Sequence, residues 1–206
     1  MAAVRRSLLI AALALLAPLA AAPATAVEQV APVTAADRSI GRADAPVTVI
    51  EYASFACPSC ADWHRFVWPL FKQRLVDTGQ VRFVFRNLPT QPEQMSLPAA
   101  ALARCAAPER FFEVTSILMA GQAAVLRGGD RADWYAPAIA ASGRSQAQLE
   151  ACATTTETRA AINRDIDSAH AAGAHHTPSF FVNGRPVSDR SLGGLEVAVR
   201  AALAER

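Results

Sequence analysis

The stretch that decides the fold is "VTVIEYASFACPSC", residues 47–60. Its first half, residues 47–53, is almost continuously apolar and rich in β-branched side chains, which predicts a strand buried on both faces. Cys57 and Cys60 follow this strand, with Pro58 between them. Proline suits the first position of a helix, because its missing N–H would have no helical partner there. The stretch therefore predicts a strand that leads directly into a cysteine-bearing helix.

The residues after the cysteines predict a helix and then a second buried strand. Apolar side chains recur at helical spacing and predict one buried helix face, formed by Trp63, Phe66, Val67, Leu70 and Phe71. Pro69 lies within this pattern and predicts a kink, because proline cannot donate the helical hydrogen bond. The run "VRFVF", residues 81–85, predicts the second strand. Strand, helix and strand in this order indicate a βαβ unit with a parallel sheet.

Farther along the chain the strand patterns stop and then return. Residues 92–172 show only amphipathic helical patterns and predict a helical insertion. Strand patterns return in "SFFVNGRPV", residues 179–187, where an Asn-Gly pair between apolar runs is a strong hairpin signal. We therefore predict an α/β fold in which residues 43–91 and 173–206 form one domain around the inserted helices.

The N-terminus predicts export. Arg5 and Arg6 precede an apolar run that ends in small residues, which is the order of a secretory signal peptide. The run is shorter than the roughly 20 apolar residues that a membrane span needs, so a membrane anchor is the weaker interpretation. We predict a signal peptide over residues 1–26 and a periplasmic or otherwise exported protein. Residues 27–42, rich in alanine and proline, are predicted to form an exposed arm.

The charge distribution excludes one large class of partner. The whole chain has a formal net charge of +2 at pH 7. Without the two arginines of the predicted leader, basic and acidic residues are equal in number. The sequence has no basic tract and no alternation of basic and aromatic residues, so we expect no nucleic-acid partner.

Three kinds of chemistry fit two cysteines at this spacing. A zinc site needs four ligands, so Cys57 and Cys60 would need two of the histidines His64, His175 and His176. A purely structural bridge would close so short a loop that it removes little chain entropy. We favour a redox-active pair, which an exported protein can keep as a disulfide, and we expect neither a metal nor a cofactor.

The position of the first cysteine supports the redox interpretation. Unpaired backbone N–H groups and the positive end of the helix dipole stabilise a thiolate at a helix N-terminus. We therefore expect the pKa of Cys57 to lie below its ordinary value of about 8.5. Cys60 follows one turn later and is expected to face the core, where it can attack a mixed disulfide on Cys57. The sequence thus predicts Cys57 as the nucleophile and Cys60 as the resolving thiol.

At this point the sequence resembles the thioredoxin superfamily and, within it, the DsbA-like thiol:disulfide oxidoreductases of the bacterial envelope. The resemblance depends on "APVTVIEYASFACPSC" before the first helix, on the helical insertion, and on "HTPSFFVNG" near the end. It implies a thioredoxin-like fold with an inserted α-helical domain. One departure is Ser59, where many relatives have histidine or tyrosine. Because serine adds no cation, the oxidising strength of the pair stays open.

The resemblance also implies two further site residues near the end of the chain. Pro178 matches a proline that the superfamily holds in the cis form beside the cysteines, where the backbone of Thr177 meets an extended substrate. His176 precedes this pair, with His175 before it. Two interpretations remain for these histidines: groups that tune the Cys57 thiolate and bind substrate, or solvent-facing loop residues.

Glu51 has a role only through the resemblance. Without it, a single glutamate near a strand end is more often solvent-facing. The resemblance implies a buried acid beneath Cys60 that exchanges a proton with it as it becomes a thiolate.

The two remaining cysteines predict a structural bridge. Cys105 and Cys152 both lie in the predicted helical insertion and have no other cysteine with which to pair. In an oxidising compartment an even count with one pair already assigned indicates a second disulfide. The alternative is two buried free thiols.

These residues together predict an exported enzyme that introduces disulfides into other proteins. Its expected partners are cysteine-containing exported proteins and a DsbB-type membrane protein that reoxidises it, and we expect a monomer. Two alternatives remain open. One is an isomerase or reductase kept in the reduced state, and the other is a non-enzymatic, chaperone-like peptide-binding protein.

Overall fold

The sheet has five strands within residues 30–205, which the computed structural model describes; the predicted signal peptide, residues 1–26, lies outside these residues. The bounds are β1 Arg38–Ile40, β2 Val47–Ala53, β3 Val81–Asn87, β4 Ser179–Val182 and β5 Arg185–Val187. The strand order is β1, β3, β2, β4, β5. Strands β2 and β3 are parallel, whereas β1, β4 and β5 join antiparallel to their neighbours.

The central strands and the hairpin follow the sequence patterns. Val47 and Val49 of β2 are fully buried, as is Phe83 of β3, because helices cover both faces of the sheet. Asn183 and Gly184 connect β4 to β5 with φ values of 46° and 82°. Positive φ at both central residues is the geometry of a type I′ turn, which matches the twist of the strands. The predicted α/β fold and the predicted hairpin are confirmed.

Eight α-helices lie in the described residues. The bounds are α1 Pro58–Phe66, α2 Trp68–Phe71, α3 Glu93–Cys105, α4 Phe111–Leu126, α5 Arg131–Ala141, α6 Gln146–Ala153, α7 Thr156–Ala171 and α8 Leu192–Ala204. Five of them, α3 to α7, fall between β3 and β4 in the chain, and α6 begins with a serine capping box. A π-helical turn over Lys72–Val76 follows α2.

The buried face predicted for the first helix is partly wrong. Trp63 and Phe71 are buried, but Phe66 is 64% exposed and Leu70 is 41% exposed. The helix ends at Phe66 and restarts one residue later, with Pro69 in the first turn of α2. This interruption is the predicted kink, and it breaks the single helical period that would have placed all five apolar side chains on one face.

Two apolar clusters hold α1 against the sheet. On one side, the ring of Trp63 stacks with Phe83 at 6.0 Å and contacts Phe180 at 4.7 Å. On the other side, Phe85 contacts Phe55 and Phe111, each at 5.6 Å between ring centroids. Each large aromatic side chain buries about 150–250 Å², so these contacts fix the start of α1 relative to the strand ends and to α4.

The segment predicted as an exposed arm, residues 27–42, is not free along its described length. Its strand β1 pairs with β3 along one edge of the sheet. Asp37 forms an ion pair with Arg86 of β3 at 2.7 Å, and both side chains are nearly inaccessible to solvent. A buried guanidinium needs a partner of opposite charge, so the ion pair with Arg86 holds this segment against the sheet. Within residues 30–205, no helix is long and apolar enough to cross a membrane.

Candidate active site

The two free cysteines lie at the start of α1. Cys57 is the N-cap residue and Pro58 is the first helical residue, as predicted. The backbone N–H groups of Cys60 and Ala61 donate to the Cys57 carbonyl at 3.1 and 3.2 Å, which closes the first turn. Cys57 is partly exposed, whereas Cys60 is completely buried. The helix therefore presents one sulfur to solvent and holds the other in the core.

The loop before β4 lies against the exposed sulfur. The Cys57 thiol donates to the Thr177 carbonyl at 3.3 Å. The peptide bond between Thr177 and Pro178 is cis, and Pro178 is buried. The side chain of Arg190 donates to the Pro178 carbonyl at 3.1 Å, and this hydrogen bond stabilises the loop. These contacts bring together Cys57, Thr177 and Pro178, three residues that the sequence singled out.

The two thiols differ in their acidity. A hydrogen bond from the Cys60 thiol, a second from the Thr177 side chain and the backbone N–H groups of the first turn lower the pKa of Cys57 to about 5. Burial raises the pKa of Cys60 well above its ordinary value, and the negative charges of Cys57 and Glu51 raise it further. The reduced site therefore holds one thiolate, on the exposed sulfur, and one thiol, on the buried sulfur. This is the asymmetry that thiol–disulfide exchange requires.

A buried acid lies beneath the resolving thiol, but it has an unexpected partner. Glu51 of β2 is fully buried, and its Oε2 lies 2.9 Å from Nε2 of His64 on α1. Sequence reasoning considered His64 only as a zinc ligand. A signal was present, because His64 follows Cys60 by four residues and therefore lies on the same side of the helix one turn later.

A second residue that sequence reasoning missed is Gln122 of α4. Its Nε2 donates to the Phe55 carbonyl at 2.7 Å and to the Cys57 carbonyl at 3.1 Å. The side chain is buried and links the inserted helices to the loop that carries the nucleophilic sulfur. No sequence signal marks it, because glutamine is common in helices and its partners here are backbone atoms.

The rings of the two histidines before the cis-proline loop form no hydrogen bond with the other site residues. His175 and His176 are both exposed, and the hydrogen bonds of the described residues include neither imidazole ring. Only the backbone carbonyl of His176 is engaged, by the hydroxyl of Ser179 at 2.6 Å. The described residues also contain no group of three or more His, Cys, Asp or Glu side chains placed to hold a metal ion.

The other two cysteines form a disulfide away from the site. Cys105 at the end of α3 is bonded to Cys152 of α6, with their Cα atoms 5.8 Å apart. The bridge joins two helices of the inserted segment that are 47 residues apart in the chain.

Residues 34–200 match the family model described as thioredoxin. The chain belongs to the thioredoxin family. Within this family its fold is DsbA-like: the structure resembles α-DsbA1 of Wolbachia pipientis with a TM-score of 0.74. The match covers 88% of this chain and 97% of that protein, at 23% sequence identity.

Two relatives in sequence are longer than this chain. A Rickettsia conorii protein named as a protein-disulfide oxidoreductase is 28% identical over 172 residues, which are 82% of this chain and 61% of the relative. A Salinispora tropica protein named as the Na(+)/H(+) antiporter NhaA 3 is 35% identical over 158 residues, which are 72% of this chain and 22% of that protein. The chain thus spans less than two thirds of the length of these relatives.

Proposed function

We propose that this chain is a protein thiol:disulfide oxidoreductase that introduces disulfides into exported proteins. The observation that carries the proposal is the placement of the two thiols, with Cys57 partly exposed at the N-cap of α1 beside the cis-proline loop and Cys60 buried one turn later. This placement goes with a pKa of Cys57 lowered to about 5 and a raised pKa of Cys60. A purely structural pair has no need for one exposed, acidic sulfur beside a buried one. The name of the Rickettsia relative supports the same class of reaction.

The proposed reaction begins with the Cys57–Cys60 disulfide. A client thiolate attacks the Cys57 sulfur, which is the accessible one, and forms a mixed disulfide. The Cys57–Cys60 bond breaks, and Cys60 leaves with the electron pair and takes up a proton. A second client thiolate then attacks the client sulfur of the mixed disulfide and releases Cys57 as a thiolate. The client loses two electrons and gains a disulfide, while the enzyme becomes the dithiol.

The acidity of Cys57 favours the oxidising direction. A site whose reduced form is stabilised holds its disulfide weakly and donates it readily. At neutral pH the reduced form contains a thiolate that its hydrogen bonds stabilise, whereas the disulfide gains nothing from those bonds. We infer an oxidant and not an enzyme that is kept reduced.

The proposed substrates are extended segments of cysteine-containing proteins. Thr177 and Pro178 border the Cys57 sulfur, so we infer that the client backbone binds along this loop while its thiol reaches the sulfur. We propose that His176, which is exposed directly before Thr177, also contacts the client. We further propose that the protein works as an exported monomer and that a DsbB-type membrane protein reoxidises it. The disulfide between Cys105 and Cys152 supports an oxidising compartment.

The test has an activity arm and a cellular arm. Oxidised wild-type protein should form disulfides in reduced ribonuclease, and Cys57→Ser should not. The matched control is the double variant Cys105→Ala/Cys152→Ala, which keeps the active pair. Acid trapping and alkylation in living cells should then find Cys57 and Cys60 mostly as a disulfide. The absence of Cys57-dependent disulfide formation would indicate a peptide-binding protein, and a mostly reduced pair would indicate a reductase or isomerase.

A further inference from the structure

A cavity lined by arginines lies between α3, α7 and the chain before β1, and none of the residues assigned to the active site lines it. Its volume is about 110 Å³, whereas one water molecule requires only roughly 10–15 Å³. Thr34 and Ala36 on its wall are exposed, so the cavity opens to solvent. It therefore has room for an ion of several atoms and a path by which that ion can enter.

The guanidinium of Arg104, on α3, lines this cavity and is not fully paired. The side chain is only 8% exposed, and its Nη2 donates to the Ala36 carbonyl at 3.0 Å. Its Nη1 has no hydrogen-bond partner among the described residues. Oδ2 of Asp165 lies 3.6 Å from this nitrogen and already accepts two hydrogen bonds from Asn87. Buried donors are seldom left without a partner, so Nη1 of Arg104 indicates a missing ligand in the cavity.

A second arginine of the cavity, Arg86, is not available to a ligand. Its Nε and Nη2 donate to Asp37 at 2.7 and 3.2 Å. Its Nη1 donates to the hydroxyls of Tyr52 and Ser168 at 3.0 and 2.8 Å, and two backbone carbonyls accept further bonds from the same guanidinium. All of its donor nitrogens are thus engaged, and the free donors of the cavity belong to Arg104 and to Arg164 of α7.

Positive charge exceeds negative charge around these free donors. Asp165 lies within ion-pair distance of Arg104, but Arg38 and Arg164 form no ion pair among the described residues. Burial lowers the pKa of Arg104, and the charge of Arg164 lowers it further against the opposing effect of Asp165. Burial also lowers the pKa of Arg38, and the charges of Arg104 and Arg144 add to this effect. Because arginine keeps its proton, this repulsion favours a bound anion.

We propose that the cavity binds one small tetrahedral oxyanion, a phosphate or sulfate group, between Nη1 of Arg104 and the guanidinium of Arg164. Guanidinium groups suit such anions, because their N–H donors match the spacing of the anion's oxygens. Arg104 supplies a fixed donor, since the Ala36 carbonyl already holds its Nη2. Arg164 is exposed and supplies the second donor from the solvent side. The anion links α3 to α7, and this role does not depend on the proposed oxidoreductase function.

Isothermal titration calorimetry of the wild-type protein with inorganic phosphate tests the site. Sodium chloride holds the ionic strength constant, so that general screening is the same throughout. The wild-type protein should bind one phosphate per chain. Arg164→Gln should weaken this binding by about tenfold or more, because a charge-assisted hydrogen bond is lost. Arg104→Gln should weaken it as well, and if that variant does not fold, the exposed Arg164 still gives the test.

The matched control is Arg159→Gln, which removes an exposed arginine of the same helix that does not line the cavity. It should bind phosphate as the wild type does. Thermal melting gives a second readout, because a ligand of the folded state raises Tm: phosphate should raise the Tm of the wild type and of Arg159→Gln more than that of Arg164→Gln. No saturable binding by the wild type, or equal weakening in the Arg159 and Arg164 variants, would overturn the inference.

A vesicle experiment distinguishes a free anion from a lipid headgroup with the same phosphate chemistry. The wild-type protein is sedimented with phosphatidylcholine vesicles that contain phosphatidic acid. Phosphate binding without sedimentation assigns the site to a free anion. Sedimentation that inorganic phosphate reverses and that Arg164→Gln abolishes assigns it to a headgroup, and both results support the site. Sedimentation that Arg164→Gln leaves unchanged, in the absence of phosphate binding, would contradict it.

Discussion

The two cysteine pairs of this protein differ in what surrounds them and not in burial, since each pair has one buried and one partly exposed member. Cys105 and Cys152 come from two helices of the inserted segment, 47 residues apart in the chain, and their bond joins these helices. Cys57 and Cys60 are neighbours on the first turn of α1, where the pKa of the partly exposed thiol is lowered and that of the buried thiol is raised. A bond between distant helices suits a structural role, whereas a helix N-terminus that stabilises one thiolate suits a bond that is exchanged.

Single substitutions in the active pair should have the largest effect on activity. Cys57→Ser should abolish disulfide transfer, because no accessible sulfur remains for the client to attack. Cys60→Ser should still form the mixed disulfide but should not resolve it, so the complex with a thiol-activated peptide should accumulate in non-reducing gels. Stable complexes that involve Cys60 in the Cys57→Ser variant would contradict the unequal roles.

Removal of the other pair should affect stability and spare the chemistry. Cys105→Ala/Cys152→Ala opens a loop of 47 residues, and in the chain-entropy model this lowers the free energy of unfolding by up to roughly 4 kcal/mol. Urea denaturation measures the loss, and oxidation of reduced ribonuclease measures the activity of the folded fraction. The opposite pattern, intact stability with lost activity, would contradict a purely structural role for the disulfide between Cys105 and Cys152.

Gln122→Ala tests the link between the two regions and should have a smaller effect. Removal of the amide leaves the buried carbonyl of Phe55 without this donor, whereas the Cys57 carbonyl keeps the N–H groups of Cys60 and Ala61. An unsatisfied buried polar group costs about 1–3 kcal/mol. We expect a loss of stability in this range and slower disulfide transfer. Gln94→Ala is the matched control, since Gln94 is an exposed helical glutamine. Equal behaviour of the two variants would show that the contact has no role in holding the active-site loop.

Much of the fold was predictable because its strands are long, apolar and buried on both faces. Strands β2 and β3 show these patterns plainly, and the Asn-Gly pair marks the hairpin. The short edge strand β1 does not, since its place depends on backbone pairing and on the ion pair between Asp37 and Arg86. The exposure of Phe66 and Leu70 was not predictable from spacing alone, because the helix is interrupted between them.

The candidate site was predictable where its parts are close in sequence. Cys57, Pro58 and Cys60 belong to one turn, and the four-residue spacing to His64 was visible, although its partner on β2 was not. Gln122 lies 65 residues from Cys57, and its contacts with backbone carbonyls leave no pattern in the sequence. Contacts of this kind depend on how the inserted helices pack, which local periodicity does not specify.

The most direct test of the account is the titration of the reduced protein, followed by the ultraviolet absorbance of the thiolate. The account predicts one thiol that ionises near pH 5, with this transition absent from Cys57→Ser and present in Cys105→Ala/Cys152→Ala. Cys60 should ionise only well above the ordinary range for cysteine. A first transition near the unperturbed value of about 8.5, or one that persists in Cys57→Ser, would contradict the unequal acidity on which the proposed function rests.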